Sequence, residues 1–372
     1  MDQGDWRAVQ CALICPAYVG FYSVPIRWFS KIPELEVWYQ ADTSKILTIV
    51  LEGQLAARIA FRVRRDGFIW FDCNRWEPGA YTEIPGYERI PGTHIPKEVT
   101  AAEKVAEERA YNHSMLINAY QLCLNTAHVV KRHTAVEMSA PVQPKHLVHL
   151  TNFENPISLI YGNSHDPYCR YVDSVLKEIF GRGKSPVQDR RLVEHDVLVY
   201  SFELLDKIMA SVNKDALKIT ELLYWAHTKY SDSAFADSLV LSWTACEKMI
   251  NTLWAEFVRS QKETIGQFER VSSERIKKLE GRDFSASVVT EILELSKIIP
   301  FELFRRLDEA RKKRNAWLHS LEGIDDVDAS KALRATIELF QIAAGVTITP
   351  TLSRTVPGTG GMPREMYTFP VV

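Results

Sequence analysis

Prolines and glycines divide this chain of 372 residues into segments that can form long helices and segments that cannot. Four prolines fall between residues 77 and 97, interspersed with glycines, and four more fall between residues 140 and 167. Because proline interrupts both helices and central strands, neither segment favours a long regular element. The run between them, from residue 98 to about residue 131, has no proline and a strong helix propensity. It predicts one long connecting helix, with the domain boundary in the 140–167 loop.

The N-terminal part of the chain favours β-strands. Short runs rich in β-branched and aromatic residues, such as residues 57–64 and 67–72, are typical of strands. The Arg-Asp-Gly sequence at residues 65–67 lies between these two runs and predicts a hairpin turn. We therefore predict a β-rich module over residues 1–97, followed by the connecting helix and loop over residues 98–167.

Beyond the loop, apolar residues spaced by three and four predict an all-helical bundle over residues 168–346. The candidate helices cover residues 168–180, 192–211, 215–230, 235–262, 272–280, 287–298, 300–321 and 326–344. Pro300 suits a first helical turn, and Gly323 suits the end of the penultimate helix. The tail, residues 347–372, returns to extended and turn-forming residues. The expected fold class of the whole chain is α+β.

Composition restricts the partners and the compartment. The formal net charge of -2 argues against attraction of nucleic acid to the whole surface, so any such contact requires a local basic patch. The six cysteines are scattered without a Cys-x2-Cys pair, which favours reduced thiols in a cytosol. No segment reaches the roughly 18 apolar residues of a membrane span, and the first apolar run lacks the basic start of a signal peptide. We expect a soluble, cytoplasmic protein with no membrane contact.

An arginine interrupts the apolar stripe of the candidate helix 300–321. The apolar positions of this stripe are Leu303, Leu307, Ala310, Trp317, Leu318 and Leu321. Arg314 lies on the stripe, and at 100° per residue Asn315 and His319 share one flank of it, a turn apart. A guanidinium can hold a phosphate, an amide can orient a group, and an imidazole transfers protons near neutrality. The alternative is a structural ion pair for Arg314 and a histidine that only decorates the helix end.

The candidate helix 235–262 carries a carboxylate in a comparable place. Glu247 lies just off the apolar stripe of this helix, beside Trp243 and Trp254. A carboxylate among tryptophans needs a partner, and Arg314 is the obvious candidate for a bidentate pair. The alternative is that Glu247 is a solvated residue on the flank of its helix.

Arg314 belongs to a cluster of six cations on the same candidate helix. The cluster comprises Arg305, Arg306, Arg311, Lys312, Lys313 and Arg314. Because six cations on one helix cannot all face the same way, some of them form a solvated face, as most charge runs do. The others could build the local patch that a nucleic-acid binder of this net charge needs, and we name Arg311, Lys312 and Lys313 as the candidate RNA-binding residues.

Two other motifs are weaker. Residues 181–185 end like a phosphate-binding loop, but they lack its first glycine and follow no strand. A zinc site would need ligands from one loop region whose spacing matches no closed pattern. That ligand set is His146, His149, His165, Asp166 and Cys169. We therefore predict neither a metal nor a cofactor.

Two segments together resemble the HEPN superfamily, the helical domains named for higher eukaryote and prokaryote nucleotide binding. LSWTACEKMINTLW, residues 241–254, resembles its first core helix with an acidic residue. RKKRNAWLH, residues 311–319, is similar to its Arg-x4-His ribonuclease motif, in which a polar residue follows the arginine. The resemblance covers about residues 231–344. It implies a HEPN-like bundle that acts as a metal-independent endoribonuclease, frequently in toxin or antiphage defence, and that is active as a homodimer.

The resemblance also implies roles for the residues. RNA cleavage through the 2'-OH needs a base and an acid, and a dimer would place one His319 from each chain at a composite site. Arg314 would stabilise the phosphorane, and Asn315 would orient His319 or a phosphate oxygen. The N-terminal module would bind a trigger or regulator, or select the RNA. Because some HEPN domains only bind, the alternative is a non-catalytic interaction or ligand-binding protein in which Glu247 and Arg314 form a structural pair.

Overall fold

A computed structural model defines the architecture of most of the chain. It describes residues 18–22, 28–29, 47–76, 97–133, 140–150, 153–154, 158–159, 192–265, 268–279, 281, 284–355 and 363–367. The chain divides into two compact units, the first comprising residues 1–127 with 139–210 and the second comprising residues 128–138 with 211–372. The first contains a β-sheet and the second is mainly helical, so the predicted α+β class is confirmed.

The first unit is built around an antiparallel sheet of six strands. Its strands in chain order are β1 (Tyr18–Tyr22), β3 (Ile49–Gln54), β4 (Ala60–Arg64), β5 (Phe68–Asp72), β6 (Val148–Leu150) and β7 (Ser158–Leu159). Their order across the sheet is β3-β4-β5-β1-β6-β7. Two further short strands, β2 (Trp28–Phe29) and β8 (Leu192–Val193), pair in parallel. The predicted β-rich module therefore contains strands, and its sheet also includes β6 and β7 from beyond residue 97.

The hairpin predicted at residues 65–67 joins β4 to β5. Gly67 has a φ of 97°, a conformation that glycine adopts without strain, and its N–H donates to the Arg64 carbonyl oxygen at 3.1 Å. Asp66 is fully buried, and its carboxylate accepts hydrogen bonds from Arg64 Nη2 at 2.7 Å and from the Phe68 N–H at 3.3 Å. The buried charge is thus paired within its own turn.

One helix that the sequence assigned to the bundle packs on this sheet instead. In α2 (His195–Met209), the ring of Phe202 stacks on Phe61 of β4 with centroids 3.7 Å apart. It also lies 4.6 Å from Tyr120, which belongs to the long helix α1 (Lys97–Arg132). The prediction of a single connecting helix there is correct. The predicted start of the bundle at residue 168 differs from the observed division, because periodicity identifies a helix but not the core it joins.

The second unit consists mostly of helices at the predicted positions. They are α3 (Ala216–Ser231), α4 (Phe235–Ser260), α5 (Ser273–Leu279), α6 (Ala286–Leu295), α7 (Phe301–Ser320) and α8 (Asp326–Ala344). Two short strand pairs accompany them, formed by β9 (Thr264–Ile265) with β10 (Phe268–Glu269) and by β11 (Leu352–Thr355) with β12 (Pro363–Tyr367). The extended tail is therefore confirmed where it is described. The helix predicted at residues 168–180 lies outside the described residues.

Helix α4 is the centre of this unit, since α3, α7 and α8 all pack against it. Cys246 of α4 is buried, with its Sγ 3.2 Å from the Thr336 hydroxyl of α8. Burial raises the pKa of this thiol to about 12, which keeps it protonated and unreactive. Among the helices that the structure describes, none has the length and apolar character needed to cross a membrane.

Candidate active site

Helix α7 carries the motif that the sequence singled out. Its side chains at Leu303, Leu307 and Ala310 are buried, and the helix packs against α4 and α8. The same face continues into Arg314, one turn after Ala310, and this side chain is half-buried. The predicted position of an arginine on the packing face of the helix is therefore observed.

Arg314 is held by its sequence neighbour. Its Nη1 donates a hydrogen bond to Asn315 Oδ1 at 3.0 Å. Its Nε is buried and has no hydrogen-bond partner among the residues that the structure describes. A buried guanidinium donor without an acceptor is energetically costly, so the Arg314 Nε needs an explanation.

Glu247 does not form the predicted pair with Arg314. Its Oε1 instead accepts a hydrogen bond from Trp243 Nε1 at 2.7 Å, one turn earlier on α4. No ion pair joins Glu247 to Arg314 within the described part of the chain. The carboxylate among tryptophans thus finds its partner locally, in an indole N–H, rather than across the bundle.

His319 lies at the exposed end of α7, in its last turn. The helix ends at Ser320 and is capped by Leu321, whose φ of 52° is left-handed and whose N–H donates to the Trp317 carbonyl oxygen at 2.9 Å. Gly323, predicted to end this helix, lies two residues beyond the actual cap. The His319 ring makes no hydrogen bond to any other residue described, and it lies one helical turn after Asn315. The motif therefore has an accessible imidazole at one end and a constrained guanidinium at the other.

Two of the three candidate RNA-binding residues form ion pairs with one carboxylate. Arg311 Nη2 lies 2.7 Å from Asp308 Oδ1, and Lys312 Nζ lies 2.6 Å from Asp308 Oδ2. Partial burial alone would raise the pKa of Asp308, but the hydrogen bonds from Lys312 and Arg311 outweigh it and hold the pKa below its usual range. The cations are thus present on α7 but partly neutralised within the helix.

The third candidate, Lys313, pairs with carboxylates beyond the end of α7. Its Nζ lies 3.2 Å from Asp328 Oδ2 and 3.8 Å from Glu322 Oε1. The hydrogen bond with Asp328 is the main reason that the pKa of Lys313 is raised. Lys313 therefore bridges α7, the following turn and the first turn of α8.

A groove of about 380 Å³ runs between α7 and α8. Its lining comprises the cations Arg306, Lys312, Lys313 and Lys331, the carboxylates Glu309, Glu322 and Asp328, and the alanines Ala310, Ala316 and Ala332. Neither Arg314 nor His319 lines it. Because carboxylates alternate with the cations, the groove is not a uniformly basic channel of the kind that tracks a nucleic-acid backbone. The sequence did not indicate that Asp328 faces these cations, because an acid in the first turn of α8 is also expected as a complement of the helix dipole.

No group of three or more potential metal ligands occurs among the described residues. Of the five residues considered as a zinc set, only His146 has a described side chain, and its Nδ1 accepts a hydrogen bond from the Gln143 N–H at 3.1 Å. The other four side chains lie outside the described part.

Comparison with known proteins gives no template for the chain. No family model matches it, and no curated protein or solved structure matches it either. Residues 241–254 and 311–319 lie in α4 and α7, and these two helices pack against each other.

Proposed function

We propose that this protein is a metal-independent endoribonuclease of the HEPN type, working as a homodimer in a toxin or antiphage defence setting. One observation carries the proposal. The accessible imidazole of His319 lies one turn after Asn315, which in turn holds the guanidinium of Arg314. A proton-transfer group and an anion-stabilising group thus share the end of one helix.

The proposed reaction needs no group beyond these side chains and the RNA. One His319, acting as a base, removes the proton from the 2'-OH, and the 2'-oxygen attacks the adjacent phosphorus. The bond from phosphorus to the 5'-oxygen breaks, and the leaving oxygen takes a proton from the His319 of the second chain. The products are a 2',3'-cyclic phosphate and a free 5'-OH. Two histidines are required, and a two-fold dimer supplies them.

Arg314 would stabilise the charge that develops on the phosphorane. Its hydrogen bond to Asn315 fixes the plane of the guanidinium, which reduces the entropy lost when a phosphate oxygen binds. Asn315 therefore acts mainly by orienting Arg314, a narrower role than orienting His319.

The test is an RNA cleavage assay with a chelator and two histidine variants. Purified protein, His319→Ala and His195→Ala are each incubated with end-labelled RNA in EDTA, and the product ends are identified. His195 is a matched control, because it is also exposed on a helix but belongs to the other unit. We expect chelator-resistant cleavage to 2',3'-cyclic phosphate ends for the native chain and His195→Ala, and a loss of at least about 100-fold for His319→Ala.

Two results would refute the proposal. One is cleavage that EDTA abolishes, and the other is cleavage that His319→Ala leaves unchanged. RNA that stays intact with the native chain, with and without candidate triggers of the N-terminal module, would favour the alternative of a non-catalytic interaction protein. A specific observation favours that alternative, since Leu318, Leu321 and Val327 expose apolar side chains around the end of α7.

A further inference from the structure

The turn between α7 and α8 has few backbone constraints of its own. It contains Gly323, around which there is open space, and Leu321, which is held in the left-handed conformation. The backbone of α7 closes through the Leu321 N–H, and the start of α8 is capped by Asp325, whose side chain accepts a hydrogen bond from the Asp328 N–H at 2.8 Å. Each of these bonds fixes one helix end and does not cross the turn.

The side chain of Lys313 connects the two sides of the turn. Lys313 lies on α7 two turns before the helix end, and its ammonium reaches Glu322 in the turn and Asp328 in the first turn of α8. Asp328 is only 18% exposed, so the carboxylate that Lys313 meets is itself held in place. The ion pairs therefore connect a fixed point on α8 to the last turns of α7, and His319 lies in the last of these.

We infer that Lys313 is a positioning residue, which sets the place of His319 by tying the end of α7 to the start of α8 through Asp328 and Glu322. The inference rests on the proposed function, in which His319 transfers protons. It replaces the prediction that Lys313 contacts RNA. A proton-transfer group must lie within hydrogen-bond reach of its target, and a displacement of 1 Å is able to reduce a rate by about 100-fold.

Lys312 provides the matched contrast. It precedes Lys313 directly and also forms an ion pair, but its partner Asp308 lies on the same helix, four residues earlier. Removing Lys312 deletes an equal charge and a similar ion pair without affecting the turn. Because Lys312 is a candidate RNA contact, Lys312→Met is expected to change KM, so only a difference in kcat between variants at the two positions reports on the link to α8.

The kinetic test compares four proteins with the native chain in the RNA cleavage assay. They are Lys312→Met, Lys313→Met, Lys313→Asp, and the charge exchange Lys313→Asp with Asp328→Lys. We expect Lys313→Met and Lys313→Asp to lower kcat by roughly tenfold at unchanged KM, and the exchange to recover most of the loss. A higher KM at unchanged kcat for Lys313→Met would identify Lys313 as an RNA contact and overturn the inference. No recovery in the exchange would overturn it as well.

A second measurement does not depend on catalysis. The protein is labelled with ¹³C at histidine Cε1, and the His319 signal is assigned by its loss in His319→Ala. We expect Lys313→Met to shift this signal, Lys312→Met to leave it in place, and the charge exchange to return it. An unchanged signal in Lys313→Met would overturn the inference even if the chain cleaves RNA. A shifted signal in a chain that never cleaves RNA would defeat the proposed function and leave the positioning role standing.

Discussion

At Arg314, one hydrogen bond to Asn315 leaves a buried Nε without an acceptor in the described structure. An unsatisfied buried donor costs about 1–3 kcal/mol, and a residue retained at such a cost is typical of a functional site. Glu247 differs, because Trp243 satisfies its carboxylate within α4. We therefore assign Arg314, Asn315 and His319 to the proposed site and leave Glu247 as a structural residue.

Replacing Asp308 tests whether the basic residues of α7 bind RNA. In Asp308→Asn, Arg311 and Lys312 lose their ion pairs and become available to phosphates. We expect tighter binding and a logarithmic salt dependence steeper by up to about 1.4, since each contact with a single strand contributes about 0.7. Binding is measured as Kd against salt concentration in a His319→Ala background.

Glu309→Gln is the matched control for that measurement. It makes the same change in net charge on the same helix, but no ion pair within the described structure involves Glu309. An equal effect of both variants would show that general charge, rather than released side chains, controls RNA binding. A salt slope unchanged in Asp308→Asn would remove Arg311 and Lys312 from the RNA-binding surface.

At the scale of elements, the sequence predicted which segments are helical better than it predicted how they are joined. The stripe of Leu303, Leu307 and Ala310 identifies the buried face of α7 because burial follows the helical period. The capping residue of the helix was misplaced by two positions, because Leu321 rather than Gly323 adopts the left-handed conformation. The partners of Lys313 were also missed. Glu322 lies in the turn and Asp328 in α8, and contacts of this kind depend on the path of the chain rather than on spacing.

The left-handed Leu321 gives a prediction for this element. A non-glycine residue in this conformation costs about 1–2 kcal/mol, whereas glycine adopts it without strain. The Leu321 side chain is 80% exposed, so little apolar burial is lost on its removal. We expect Leu321→Gly to raise the free energy of unfolding by roughly 0.5–1 kcal/mol in a denaturant titration.

Ser320→Gly is the control, since Ser320 is the last residue of α7 and is also exposed. Glycine in a helix is destabilising by roughly 0.5–1 kcal/mol relative to alanine, so this variant should be less stable than the native chain. Destabilisation by Leu321→Gly would mean that the side chain of Leu321 makes a contact that its exposure does not reveal.

At the scale of the whole molecule, a buried histidine of the second unit forms a hydrogen bond with the C-terminal tail. His227 of α3 is fully buried, and its Nε2 hydrogen-bonds to the Thr351 carbonyl oxygen just before β11. Burial lowers the pKa of His227 to about 4. The fold therefore requires this imidazole to be neutral, and no spacing rule in the sequence distinguishes it from the other nine histidines.

The lowered pKa gives a stability prediction with a definite sign. Because the unfolded chain binds the proton more tightly, with a pKa near 6.5, this stabilisation is present above about pH 6.5 and is lost as the pH falls towards 4. The loss amounts to up to roughly 3 kcal/mol by linkage. In His227→Gln we expect a flatter profile of unfolding free energy between pH 4 and 7. An unchanged profile would show that His227 is not the group that titrates, and His319→Ala serves as the exposed-histidine control.

The position of strand β1 has a consequence for the order in which the chain acquires its structure. β1 (Tyr18–Tyr22) lies between β5 and β6, so one of its edges has no pairing partner until residues 148–150 are synthesised. Pairing over such sequence distances closes long loops and is slow, whereas neighbouring helices such as α7 and α8 make local contacts quickly. During synthesis, the first strand of the described chain therefore stays half-paired until more than a hundred further residues have emerged. Until then the unpaired edge of β1 is exposed, and this edge is where a chaperone would be needed.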